Sequence, residues 1–418
     1  MGIWRYAADL APAVPSALRL TLGEGSTPLE AAPGLARSLG LDALWLKRED
    51  RNPTGSHKDR GVAFQVSLAR AVAVANGRPL ARIALSSSGN AAISAAAYGR
   101  LAPIDVVAFV APDTAPAKLA LLREHGAIVV RSPNALTLCQ AWCTERDVPN
   151  LRPSTDPSAV EGFQTLGWEI LTDLAASADG QDAAGVAVFT YVSSATSLVG
   201  IGRAFARGSQ SGANGAPSLN AVQGLGAASV AGPLDANPPR PGPTSTHETS
   251  HAANGHHASV DRPAVSAEGA APTTGRLGAL GARKTRRLGE AHRVVVASGG
   301  AGWVITDAQA DVADALLRAA GICAAIEGAA SLAAAARAAA ETGVRRAVVV
   351  LTGAARDGDE ADSADGADAA ADRRSAAMVE RSAVPHAAAD ALPHATSLAQ
   401  TIGDVDDLVA AHVAAAGR

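Results

Sequence analysis

From about residue 81 the chain alternates short, continuously apolar runs with longer segments of helical period. RIAL (82–85) precedes SSSGN and the small-residue stretch AAISAAAYG. VVAFV (106–110) precedes APAKLALLREHG, and AIVVR (127–131) precedes NALTLCQAWCTE. Apolar runs without polar alternation suit strands covered on both faces. Their regular exchange with helices predicts a parallel sheet wrapped by helices. A second series follows. EGFQTLGWEILTDL (161–174) predicts a helix, VAVFTYV (186–192) a strand, LVGIGRAFARG a helix and LNAVQG (219–224) a strand. VVVAS (294–298) is expected as another strand. DAQADVADALLRAAG and EGAASLAAAARAAAETG are expected as helices, and AVVVLTG (347–353) as the last strand.

Two stretches break this rhythm. Residues 237–275 are rich in Pro, Gly, Ser, Thr and His, and residues 356–390 are rich in acids. Neither carries a core pattern, so both are expected as disordered or weakly ordered surface insertions. A metal site at His247, His251, His256 and His257 is weighed and set aside in favour of low-complexity drift. The last segment, TSLAQTIGDVDDLVAAHVAAAG, returns to a helical period and is expected to dock back on the body.

Composition narrows the functional classes. The chain has 418 residues, 48% of them hydrophobic, enough for two or three domains. It carries 36 basic and 40 acidic residues, a net charge of −4. That argues against a nucleic-acid partner or an anionic membrane surface, both of which need a basic surplus. Three cysteines cannot form a disulfide framework for this length. Cys139 and Cys143, at helical spacing, are read as packing residues, and no metal is expected. The N-terminus lacks signal-peptide blocks, and no apolar run reaches the ~18–20 residues of a membrane span. A cytoplasmic location is the expectation. Only four lysines occur, Lys47, Lys58, Lys118 and Lys284, so lysine chemistry has few candidates.

The densest unusual sequence is LWLKREDRNPTGSHKDRG (44–61). Pro53 and Gly55 impose a turn, after which Lys58 opens a helix. An amine there is close to the positive end of the helix and partly desolvated. Both effects lower its pKa and favour the neutral amine that Schiff-base chemistry requires. The run resembles the lysine motif of pyridoxal-phosphate enzymes of the tryptophan-synthase-β type (fold type II), most closely those of threonine-synthase type. Lys47, Glu49, Asn52, Pro53, Thr54, Gly55, Ser56, Lys58, Asp59, Arg60 and Gly61 match that motif, while His57 replaces its aromatic residue. GEGSTPL (23–29) resembles the family's N-terminal loop, and EGFQT (161–165) its E-G-x-K-T helix start, with Gln164 for the lysine.

The resemblance implies further roles. SSSGN (86–90) resembles the S-x-G-N loop, so Ser87, Ser88, Gly89, Asn90 and Ala91 are expected to hold the substrate carboxylate at a helix start. Asn90 would also reach the cofactor's phenolic oxygen. Ser193, Ser194, Ala195, Thr196 and Ser197 occupy the family's phosphate-cradling turn. Ala195 stands where a glycine is usual and is expected to adopt a negative φ. Glu327 is expected near the cofactor ring edge and Thr352 at its pyridine nitrogen. A neutral hydroxyl there suits elimination and replacement at Cβ or Cγ rather than transamination.

The implied fold is α/β, a two-domain fold type II pyridoxal-phosphate enzyme with parallel or mixed sheets in three αβα layers. A large domain of residues 1–61 and 156–418 carries an inserted smaller domain of residues 62–155. The implied cofactor is pyridoxal 5'-phosphate on Lys58, which also serves as the general base. The implied substrate is a small amino acid, with O-phospho-L-homoserine and water converted to L-threonine and phosphate. The family's substrate-phosphate Arg and Asn are here Ala159 and Ser194; Ser154 is retained, and Arg152 is the candidate replacement cation. Those departures keep serine/threonine dehydratase and β-replacement chemistry open, with a non-catalytic cofactor-binding relative as the third alternative. Relatives of this type are commonly homodimers.

Overall fold

The computed structural model describes residues 2–177, 183–210, 215–235, 275–280, 284–356 and 399–416. Within them, strands β1 (Leu29–Ala31), β2 (Ala43–Lys47), β6 (Val186–Tyr191), β7 (Ser218–Gly224), β8 (Gly302–Ile305) and β9 (Arg346–Val350) form one sheet, ordered β1-β2-β9-β6-β7-β8. Only the β1–β2 pair is antiparallel. Strands β3 (Arg82–Ser86), β4 (Asp105–Val110) and β5 (Ala127–Arg131) form a second, wholly parallel sheet.

Each sheet is covered on both faces, and the apolar runs divide accordingly. The helices in chain order are α1 (Pro33–Ser38), α2 (Lys58–Ala75), α3 (Asn90–Leu101), α4 (Pro116–Glu124), α5 (Ala135–Glu145), α6 (Ala159–Ala176), α7 (Thr196–Gln210), α8 (Gly232–Asp235), α9 (Arg276–Leu280), α10 (Leu288–Ala297), α11 (Asp307–Ala319) and α12 (Ile326–Thr342). In the larger sheet Leu44, Leu46, Phe189, Val349 and Leu351 face the alanine-rich α12, together with α11. Their neighbours Trp45, Val188, Val348 and Val350 face α6, α7 and α10. In the smaller sheet Ile83, Leu85, Val106 and Ala108 face α2 and α3, and Ala84, Val107 and Phe109 face α5. Successive residues point to opposite faces, so a strand buried on both must be apolar throughout.

Cys139, Cys143 and Trp142 pack under this second face, joined by Val405 and Val409 of the C-terminal helix Ile402–Ala415. That helix packs on β5 and α5, and Asp406 accepts from the Trp142 indole at 2.9 Å. The N-terminal strap, with Ile3, Leu10, Val14 and Leu20, joins the α2–α3 core.

One expected element is different. Residues 294–298 were expected as a strand but belong to α10, and the strand of that region is β8, GWVI. Three consecutive valines favour β structure locally. Tertiary packing overrides this, because Ala291 and Val295 fall on one helical stripe and pack beneath α7 and β7 while Val296 is exposed. The stretches 237–275 and 356–390 lie outside the described residues, apart from Gly275 and Arg356. Among the described residues no helix is long and apolar enough to cross a membrane, and no cluster of three or more His, Cys, Asp or Glu is placed to hold a metal.

The contact that sets the lysine helix against the larger sheet is α2 on α6. It depends on two glycines at the crossing. A Cβ on Gly162 would lie 2.2 Å from the Arg60 carbonyl oxygen, and one on Gly61 2.7 Å from the Phe163 ring. Gly162→Ala is therefore expected to destabilise the chain by about 1–3 kcal/mol through overpacking. Urea unfolding checks this; an unchanged midpoint would mean that the helices can separate without cost.

Candidate active site

The segment between β2 and α2 is a tight turn. The Gly55 N–H donates to the Asn52 carbonyl at 2.7 Å, with Gly55 at φ +79° where a side chain is disfavoured. Asp59 ties the turn shut, accepting from the Thr54 N–H at 2.7 Å and from the Thr54 and Ser94 hydroxyls at 2.6 Å each. The next residues pair with the end of β9. The Ala354 N–H donates to Gly55 O at 2.9 Å, and the His57 N–H donates to Thr352 O at 2.9 Å. Lys58 begins α2, as expected. Burial pushes its pKa down to about 8, against a smaller opposing pull from Glu327.

The other motif residues of this run build the scaffold behind the amine. Arg60 is fully buried and grips Glu49 bidentately, at 2.7 Å on each oxygen, while its Nη2 reaches Glu169 at 2.6 Å. Lys47, also fully buried, donates to Glu169 at 3.1 Å, Asp173 at 2.8 Å and the Thr27 carbonyl at 2.7 Å. Asn52 donates to Glu49 at 2.9 Å and accepts from the Gly25 N–H at 2.9 Å. Burial opposes ionisation of Glu49 and Glu169, and the charge and hydrogen bonds of Arg60 together with the Lys47 charge outweigh it. Glu49 is held below its usual value, and Glu169 at about 2.

SSSGN joins β3 to α3, as expected. Ser87 accepts from the Gly89 N–H at 3.3 Å, and Asn90 opens the helix. The Asn90 amide lies beside Gly353, where a Cβ would meet it at 3.3 Å. Residues 193–197 join β6 to α7. Because Val199 N–H makes the first bond of that turn, to the Ala195 carbonyl, the N–H groups of Thr196, Ser197 and Leu198 have no helical acceptor.

Ala195 does not have the expected negative φ: it sits at +64°, the left-handed conformation of the usual glycine. Contacts on both sides impose it. Thr285 donates to the Ser194 carbonyl at 2.8 Å, and Thr196 donates to the Pro153 carbonyl at 3.1 Å.

A cavity of about 1130 Å³ opens in front of these elements. Of the expected residues, Lys58, Ser87, Ala91, Arg152, Ser154, Ser193 and Ser194 line it. Ser88, Gly89, Asn90, Ala195, Thr196, Ser197, Glu327 and Thr352 do not line it; they stand in the loops, strand end and helix start around it. Lys284 is exposed and lines the cavity with Thr285 and Arg286. It lies in the basic run ARKTRRL (282–288), whose spacing does not tie it to the lysine motif. Lys118 is half-buried on α4.

The donor set fits pyridoxal phosphate. A buried amine of lowered pKa suits its aldehyde, and a helix start with free N–H groups suits its phosphate. The Ser154 hydroxyl is buried without a partner and lines the same cavity.

Fold and site define a fold type II pyridoxal-phosphate enzyme. Residues 20–353 match the family described as "Pyridoxal-phosphate dependent enzyme", and the chain belongs to that family, with pyridoxal 5'-phosphate as its cofactor. Among curated proteins it is 34% identical to threonine synthase of Methanosarcina acetivorans over 177 residues, 41% of each chain. It is 34% identical to threonine synthase of Mycobacterium tuberculosis over 165 residues, 38% of this chain and 44% of the relative. The matched part thus spans about two fifths of the length of these relatives. Among solved structures it resembles the processed form of threonine deaminase isoform 2 from Solanum lycopersicum, with TM-score 0.62 and 19% identity over 86% of each chain. It also resembles maize serine racemase, with TM-score 0.60 and 16% identity over 90% of this chain and 97% of that one. At these identities the structures establish the shared fold.

Glu169 is held below its ordinary 4.5, so its stabilisation is complete above that pH and is lost as pH falls towards 2. Urea midpoints should drop as pH falls below ~5, beyond the slopes that buried neutral His57 and Lys58 give at higher pH, and Arg60→Ala should cost about 3–5 kcal/mol by leaving buried carboxylates unpaired. Ala195→Gly should instead stabilise by about 0.5–1 kcal/mol, because the left-handed cost of roughly 1–2 kcal/mol exceeds the added unfolded-state freedom. A lower midpoint for that variant would contradict the strain.

Proposed function

We propose that the chain is a lyase that eliminates or replaces a group at Cβ or Cγ of an amino acid, with O-phospho-L-homoserine and water as substrates and L-threonine and phosphate as products. The observation that carries the substrate is the cationic end of the cavity. Arg152, Lys284 and Arg286 line it, and among the described residues none of them is ion-paired to a carboxylate. Burial lowers the Arg152 pKa, Cys139 opposing and the Arg286 charge adding to the lowering. Two guanidiniums lining one cavity favour an anion there. They supply the charge that Ala159 and Ser194 do not.

When bound, pyridoxal phosphate supplies the electron-accepting ring that makes the substrate α-proton acidic. In this reading Lys58 carries the cofactor and later accepts that proton at Nζ; a pKa near 8 keeps a useful neutral fraction at neutral pH. The N–H groups at the start of α7, with Ser193, Ser194, Ala195, Thr196 and Ser197, hold the cofactor phosphate. Asn90, Glu327 and Thr352 address its ring. Ser87, Ser88, Gly89, Asn90 and Ala91 hold the substrate carboxylate, and Arg152 and Ser154 the substrate phosphate. Residues 62–155 act as the smaller domain against 1–61 and 156–418, with the cleft between, and the C-terminal helix Ile402–Ala415 moves with the smaller sheet on which it packs. Ala159, buried where the family has a cation, favours threonine or serine dehydration as the second reading.

Borohydride reduction and peptide mapping should place the cofactor on Lys58, and Lys58→Ala should abolish turnover. Phosphate release from O-phosphohomoserine, assayed beside ammonia release from threonine and serine, separates the two substrate readings. Arg286→Ala should raise KM for the phosphorylated substrate about tenfold by removing a charge-assisted bond. Ammonia release without phosphate release would leave dehydration.

A further inference from the structure

The position before Lys58 is where this chain departs from its family motif, and the departure is chemical. A hydrocarbon ring at this position can pack but offers no hydrogen-bond donor or acceptor nitrogen. His57 is 7% exposed and keeps that packing, with its ring centroid 5.3 Å from Phe163. It adds two polar atoms, and both are engaged. Nδ1 lies 2.8 Å from the Thr352 carbonyl oxygen, and Nε2 lies 3.1 Å from Lys58 Nζ. A carbonyl only accepts, so Nδ1 carries the proton and Nε2 presents its lone pair.

We propose that His57 is the positioning residue of Lys58: a neutral imidazole, fixed as the Nδ1–H tautomer by the Thr352 carbonyl, whose Nε2 accepts a hydrogen from Lys58 Nζ. An amine that donates one N–H to His57 directs its lone pair away from the imidazole, towards the cavity that Lys58 lines. The charges around this pair agree. Lys58 and Arg60 on α2 both disfavour imidazolium, as does burial, while the Thr352 carbonyl after β9 opposes them and Phe163 on α6 is uncharged. The pKa of His57 lies well below 6.5, so it does not store the proton. Glu327 on α12 is the carboxylate that acts on Lys58 itself. The same Thr352 carbonyl accepts the His57 backbone N–H at 2.9 Å, so the main chain of His57 is held beside the oxygen to which its ring donates.

The inference rests on Lys58 being the cofactor lysine, and the experiment separates the two. Competitive acylation of the full chain freed of cofactor, read at Lys58 by mass spectrometry, gives the amine's titration midpoint. Accepting a hydrogen from the ammonium favours the charged form. His57→Phe, the family's own kind of residue, should therefore lower the midpoint by about one unit. His57→Gln, whose amide oxygen also accepts, should restore it. Identical midpoints in the three chains overturn the proposal while leaving Lys58 as the cofactor lysine. Cofactor trapped on a residue other than Lys58 overturns the functional reading and this inference together. Independently of any variant's folding, nitrogen-15 spectra of the same cofactor-free unmutated chain should show His57 neutral and protonated at Nδ1 from pH ~6 to ~8. A proton on Nε2, or titration in that range, also overturns it.

Discussion

The buried guanidinium of Arg60 is the constraint on which the rest of the site depends. A charge removed from water must be repaid by paired and hydrogen-bonded partners. Arg60 finds them in Glu49 of its own turn and Glu169 of α6, with Lys47 at the end of β2 sharing Glu169. Thr27 and Ser26 of the N-terminal loop close the same network, at 2.5 Å to Glu49 and 2.8 Å to Glu169. Three distant parts of the chain, the N-terminal loop, the β2–α2 segment and α6, are thereby held to one point, two residues beyond Lys58. A packed apolar cluster of the same volume would hold them too, but without fixed directions.

Upon that anchor the lysine is oriented by a second set of contacts. The turn at residues 55–57 is paired with residues 352–354, almost three hundred positions away, so the strand end that carries Thr352 also aligns the amine. Gly61 and Gly162 bring α2 and α6 close enough for Phe163 to reach both the His57 ring and the Lys58 amine, the latter 5.7 Å from the ring centroid. Desolvation by this packing keeps the amine near the pH at which it can give and take a proton.

Much of this was legible along the chain. The alternating apolar runs located β3 to β7 and β9, because a strand covered on both faces leaves the same mark whatever covers it. They failed at residues 294–298, where three valines signal a strand and only the neighbours α7 and β7 decide for a helix. The lysine motif was readable as a turn and a helix start. The reason for its Glu49, Asn52, Asp59 and Arg60 was not, because their partners Thr27, Gly25, Ser94 and Glu169 lie in separate segments. The backbone of Ala195 was misjudged for a similar reason: its left-handed φ is imposed by Thr285 and Pro153, which no local rule brings to it.

By itself the sequence determined the class of fold, the lysine proposed to carry the cofactor and the loops that accompany it, since each is written in contiguous residues whose order carries the chemistry. Only the tertiary structure decided the protonation of that lysine and the company it keeps. Its lowered pKa comes from burial, its orientation from the tautomer that the Thr352 carbonyl imposes on His57, and the cationic wall of the cavity from Arg152, Lys284 and Arg286 converging from separate segments. Desolvation and charge proximity are properties of distances in space, and a sequence specifies those only after it has folded.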